Sequence, residues 1–134
     1  MLITNTVSHM TRTQPNGKSI LLVGRQGHLR DALMSLLSTL PDLALIYTAE
    51  SGLLALRVAD QNRPDLLIAG SLPEAETNEL LQQFKENWPD TPTLVLTENA
   101  RQVERVQLAG ATCVLPAHTP SRQLLIEIAG LIKQ

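Results

Sequence analysis

The strongest constraint on this chain is a rhythm: a short apolar run, then a stripe of apolar residues at helical spacing, repeated five times. The runs are Ser19–Ile20–Leu21–Leu22–Val23, Leu43 to Tyr47, Asp65–Leu66–Leu67–Ile68–Ala69, Thr93–Leu94–Val95–Leu96–Thr97 and Thr112–Cys113–Val114–Leu115. Each is too short for a helix and lacks the polar alternation of a strand with one wet face. Each therefore reads as a strand buried on both faces. The stripes between them are Leu29, Leu33, Leu36, Leu37 and Leu40, then Leu54, Ala55 and Val58. Leu80, Leu81, Phe84 and Trp88 follow, then Val103 and Val106 on a polar helix. Pro41, Asn62–Arg63–Pro64, Pro89 and Gly110 end these four helices, and Ser51 caps the second. The last stripe, Leu124, Leu125, Ile128, Leu131 and Ile132, starts at Thr119–Pro120, a cap followed by a proline suited to the first turn.

Five strand–helix units in succession imply an α/β/α sandwich, with helices on both faces of a five-stranded parallel sheet. The expected topology is flavodoxin-like, in strand order 2-1-3-4-5. The pattern fills residues 18–134. Residues 1–17 are rich in Thr, Ser and Asn, show no apolar period and close on the turn signal Pro15–Asn16–Gly17. They are expected to be a disordered leader.

Tyr47, Phe84 and Trp88 are the only aromatic residues, so the core must be aliphatic. A net charge of −2 with no like-charge run argues against a nucleic-acid surface. Cys113 is the only cysteine, which excludes an intramolecular disulfide and a thiolate metal cluster and fits a reducing compartment. No run approaches the ~20 apolar residues of a membrane span, and Met1–Leu2–Ile3 is too short for a signal-peptide core. A cytoplasmic location without membrane contact is expected.

Ligands of such sheets bind at the carboxyl ends of the strands. Those ends are Gly24–Arg25–Gln26, Ala69–Gly70–Ser71, Thr97–Glu98–Asn99 and Pro116–Ala117–His118. Around them the chain resembles the receiver domain of bacterial response regulators, the chemotaxis-type receiver family. The likeness rests on Arg63-Pro64-Asp65-Leu66-Leu67-Ile68 leading to Leu72-Pro73, and on Pro92-Thr93-Leu94-Val95-Leu96-Thr97. Ala109-Gly110-Ala111 running into Thr112-Cys113-Val114-Leu115-Pro116 is its most specific phrase. Leu21-Leu22-Val23 followed by Leu29-Arg30-Asp31-Ala32-Leu33 also looks like a receiver opening, and the likeness spans residues 18–134. An end at Lys133–Gln134, directly after a helical stripe, is what a receiver separated from an output domain would show.

The resemblance implies an acidic pair after strand 1 that holds magnesium, and an aspartate ending strand 3 that accepts a phosphoryl group. Here the acidic pair is replaced by Gly24 and Arg25. The phosphoacceptor position falls on Gly70 when counted from Asp65 and on Ala69 when counted from Pro73, because the loop looks one residue short. The lysine implied after strand 5 is absent from Leu115, Pro116 and Ala117, and the switch aromatic matches Val114. Only the hydroxyl after strand 4 is retained, as Thr97. The resemblance is thus to a pseudo-receiver, without phosphoacceptor, catalytic residue, cofactor or metal, and no enzyme is expected.

Two functional readings follow. One is a phosphorylation-independent interaction module of the two-component type. It would bind a protein partner or a second copy through the fourth helix, fifth strand and fifth helix, with Arg101, Val103, Arg105, Val106 and Val114 as candidate interface residues. The other is a sensor of a small anion or nucleotide in the vacated strand-end pocket, built from Arg25, Gly70, Ser71 and Thr97; the plain alternative for Arg25 is a solvated loop arginine. Gly24-x-x-Gly27 lacks the third glycine and the acidic partner of a dinucleotide loop. His28 and His118 read as ordinary loop or helix-end residues, and Cys113 as a small apolar residue in a strand.

Overall fold

The computed structural model describes residues 17–41, 43–99 and 101–132. The expected leader lies outside them, apart from Gly17. The elements alternate strictly: β1 (Lys18–Val23), α1 (His28–Leu37), β2 (Leu43–Ala49), α2 (Gly52–Gln61) and β3 (Leu66–Gly70). Then follow α3 (Glu74–Asn87), β4 (Thr93–Thr97), α4 (Gln102–Leu108), β5 (Cys113–Pro116) and α5 (Ser121–Ile132). The sheet order is β2-β1-β3-β4-β5, and every neighbouring pair is parallel. This is the flavodoxin-like arrangement that the sequence predicts.

Side chains of a strand alternate between its faces, so each continuous apolar run feeds two cores. Ile20, Leu22, Ile68 and Leu96 face one way and pack with Leu33 and Leu37 of α1 and Leu124 and Ile128 of α5. Leu21, Val23, Ala69 and Val95 face the other way, onto Ala55 and Val58 of α2, Leu80 and Phe84 of α3 and Val106 of α4. Phe84 is the largest fully buried side chain, and its ring meets that of Trp88 at 4.9 Å between centroids, tilted by 58°.

Local chemistry sets the element ends. Ser51 caps α2, its Oγ accepting from the Leu54 amide at 3.2 Å. The apolar face of α2 is Ala55, Val58 and Ala59, whereas Leu54, expected in the core, is 38% exposed. With Gly52 rather than Leu54 at the start of the buried arc, the inward face is set one residue later. The first helix stops at Leu37, short of Pro41, because the Ser38 and Thr39 hydroxyls donate to the Ser35 and Leu36 carbonyls at 2.7 Å each. The Trp88 amide closes α3 by donating to Phe84 O, and Pro89 prevents continuation.

Candidate functional site: the strand-end cleft

The site is set by how closely the loops after β1 and β3 approach. The Gly24 amide donates to Ala49 O at 2.9 Å, carrying the β1–β2 ladder one residue past the strand. This presses Gly24 against the end of β3. A Cβ on Gly24 would lie inside contact distance of the Gly70 carbonyl oxygen, a backbone atom that cannot swing away. On Gly70 a Cβ would sit 3.1 Å from Leu29 Cδ2. The Gly24 position, which the resemblance assigns to a carboxylate, is therefore closed to a side chain in this arrangement, whereas a Cβ on Gly70 would need only the Leu29 methyl to give by a few tenths of an ångström.

The backbone turns sharply directly after β3. Ser71 has φ 61°, the left-handed conformation that costs an L-residue roughly 1–2 kcal/mol. Gly70 is the last residue of β3, paired with Leu96, while Ala69 points into the α2–α3–α4 core. The strand-end position thus belongs to Gly70, which lines the cleft. Ala69 does not.

The cleft itself is about 10 Å³, lined by Gly24, Arg25, Leu29, Arg30, Gly70 and Ser71 among others. That is space for about one water molecule. The expected vacant pocket is instead largely closed, and it offers no room for a nucleotide. Arg25, Gly70 and Ser71 do meet there. Thr97 does not join them: it is buried, and its hydroxyl donates to Asn99 O at 3.1 Å, bracing the β4–α4 loop. The four-residue anion site is reduced to three members.

Arg30 is the residue that sequence reasoning missed. From the first turn of α1 its guanidinium reaches back to Gly24 O and Thr48 Oγ1, both at 3.5 Å. Its position six residues after Gly24, at a helix start that must return over the strand end, was the available signal. The cleft lining holds two guanidinium groups and no carboxylate. A hard divalent cation needs several oxygen ligands, so these residues do not fit the magnesium that the resemblance implies. Among the described residues, no three His, Cys, Asp or Glu side chains group as metal ligands.

Asp65, a landmark of the resemblance, has a structural role. Its Oδ2 accepts from the Ser19 amide at 2.8 Å and fixes the start of β1 beside β3. At the far edge, the Thr93 and Thr112 hydroxyls each accept the other's amide at 3.0 Å and set the β4–β5 register.

The candidate interface residues separate into three kinds. Arg101 is exposed. Arg105 is exposed but engaged, donating through Nε and Nη2 to Glu74 of α3 at 2.7 and 2.9 Å. That bidentate contact holds the Glu74 carboxyl below the usual carboxylate range and raises Arg105. Val106 and Val114 are 2% and 8% exposed and belong to the core, so neither can present a docking surface; Val103 is partly buried against the same core. The apolar side chains that this side does expose are Leu108 at 80% and Ile126 at 65%.

No protein-family model matches the chain. It is similar to the transcriptional regulatory protein YdfI of Bacillus subtilis, 33% identical over 109 residues, covering 78% of this chain and 50% of that protein. The uncharacterized transcriptional regulatory protein YhcZ of the same organism is 32% identical over 75 residues, covering 55% and 35%. The chain thus spans about half the length, or less, of the curated relatives it matches. Among solved structures it superposes on the receiver domain of the putative response regulator NarL from Mycobacterium tuberculosis with a TM-score of 0.78. The identity there is 15%, covering 89% of this chain and 98% of that one. The receiver domain of the sensor histidine kinase PA1611 from Pseudomonas aeruginosa, which carries a magnesium ion in its active-site cleft, gives a TM-score of 0.76 at 22% identity. That match covers 88% of this chain and 99% of that one. The chain has the fold of a response-regulator receiver domain.

Proposed function

We propose that this chain is a receiver-type signalling domain of a bacterial two-component regulator, and that it works without being phosphorylated. It acts in the cytoplasm by binding a protein partner or a second copy through α4, β5 and α5. The relatives are named transcriptional regulatory proteins, and we extend to this chain only a place upstream of such an output. One observation carries the reading: the strand-end cleft contains no carboxylate, and at Gly24 the carbonyl of Gly70 leaves no room for one. Phosphoryl transfer to a receiver needs an acceptor carboxylate and a metal to neutralise the moving charge, and the cleft lining offers no carboxylate for either role.

Incubation with acetyl phosphate and magnesium tests this directly. No acid-stable, base-labile phosphate should appear, and beryllofluoride should leave the amide NMR spectrum unchanged. Stoichiometric base-labile phosphate on the chain would overturn the proposal. The competing reading, an anion sensor at Arg25, keeps one support: two guanidinium groups line the cleft without a carboxylate to neutralise them. Titration with inorganic phosphate or sulfate, followed by amide shifts at Gly24 and Ser71, decides whether that reading stands.

A further inference from the structure

Of the five helices, α4 is the least anchored. It spans seven residues and buries one of them, Val106, whereas α3 buries Thr77, Leu80, Leu81 and Phe84. Its last residue, Leu108, is 80% exposed. Elements with few buried apolar contacts open at low free energy, independently of global unfolding. Beyond Val106 and the partly buried Val103, what holds α4 is polar. At its start, Asn99 Oδ1 accepts from the Arg101 amide at 2.9 Å. On its flank stands the Arg105–Glu74 pair.

The pair is unlike an ordinary surface contact in two respects. It is bidentate and joins residues 31 apart in sequence, from two different helices. Its α3 end is also firmly placed, because Glu74 follows the three-residue link Ser71–Leu72–Pro73 from the end of β3. One turn further along α3, on the same face as Glu74, Asn78 carries a buried Oδ1 with no hydrogen-bond partner. A buried acceptor left unpaired disfavours the closed arrangement. The tether thus lies one helical turn from an unsatisfied buried acceptor on the same face of α3.

We propose that the Glu74–Arg105 pair is an ionic latch that sets how often α4 detaches from the body of the domain. It makes α4 an openable element governed by charge, and this holds whether or not the α4 face takes a partner. A carboxylate brought to Arg105 by another molecule, or high ionic strength, releases the latch by the same route.

Hydrogen–deuterium exchange on the full chain tests this, comparing the parent with Glu74→Gln, Arg105→Gln and the double variant. Each single variant should speed exchange of the Val103–Ala109 amides about two- to fivefold, the range open to a well-formed surface pair. Amides of α5 should be unchanged. The double variant should match the singles rather than add to them, since both remove one interaction. Salt at 1 M should speed α4 exchange in the parent but not in the variants. The latch is disproved if the singles exchange like the parent, if α4 and α5 speed up together, or if the two substitutions add.

Discussion

Gly24 shows how one contact can fix the identity of a residue. That it stands where the resemblance implies an acidic residue is visible in the sequence, but the close approach that keeps out a side chain is not. The partner in that approach is the carbonyl of Gly70, 46 positions away, and only the folded loops bring the two together. Restoring the family chemistry should therefore fail stepwise. Gly24→Asp should destabilise the domain by about 1–3 kcal/mol, as overpacking against an unyielding neighbour does. Combined with Gly70→Asp it should still give no beryllofluoride adduct; urea unfolding and fluorine NMR would show whether this holds. Cys113 lies in β5, as the sequence predicts, but is only half-buried, and its neighbour is not legible in the sequence. Burial first, and then Glu127 with an oxygen 3.9 Å from the sulfur, push the thiol above its ordinary value. A thiol held protonated is a poor nucleophile. Iodoacetamide at pH 7.5 should modify Cys113 severalfold more slowly than free cysteine, and Glu127→Gln should recover part of that rate.

At the scale of elements, strands were more legible than helix faces. A run of apolar residues buried on both sides defines its own limits, and β4 coincides with the predicted Thr93–Thr97. A helix face depends on where the first turn begins, so Leu54 was assigned inward when α2 turns it out. The polar character of α4 is plain in the sequence. That Arg105 is committed to Glu74 was not legible, because no local spacing links residues so far apart. Two consequences can be separated by experiment. Arg101→Glu, which leaves the ion pair intact, should weaken any self-association through this face. Sedimentation velocity over a concentration series checks this, and an unchanged profile in a self-associating parent would move the interface elsewhere. The second consequence concerns pH. The Glu74 carboxyl is depressed, so its contribution is complete above the usual glutamate range and is lost as pH falls through the depressed value. Exchange of α4 amides, corrected for its intrinsic pH dependence, should rise on acidification in the parent and stay flat in Glu74→Gln.

The whole molecule is two aliphatic cores back to back across one sheet, and this was largely written in the sequence. Continuous apolar strands between helical stripes permit few other architectures, which is why order and layers were predictable. The state of the strand-end cleft was not. Composition reveals which groups are missing, but only the approach of two loops decides whether their loss leaves a cavity or closes it. The division into two cores also ranks the effects of truncation. Phe84→Ala should cost about 3–5 kcal/mol, a large part of the ~5–15 kcal/mol that holds a domain together. Leu53→Ala, at a side chain 63% exposed, should stay within about 0.5 kcal/mol. Urea denaturation of both variants would establish the ranking.

The tilted pair of Phe84 and Trp88 has an optical consequence. Trp88 is the only indole in the chain and sits at the end of α3, half-buried beside Phe84. Intrinsic fluorescence therefore watches one corner of one core. Release of α4 should leave its emission almost unchanged, whereas loss of the α2–α3 layer should shift it to the red. A flat emission trace alongside quickened α4 exchange would then be the optical signature of a local event, and a thermal melt followed by fluorescence would miss it.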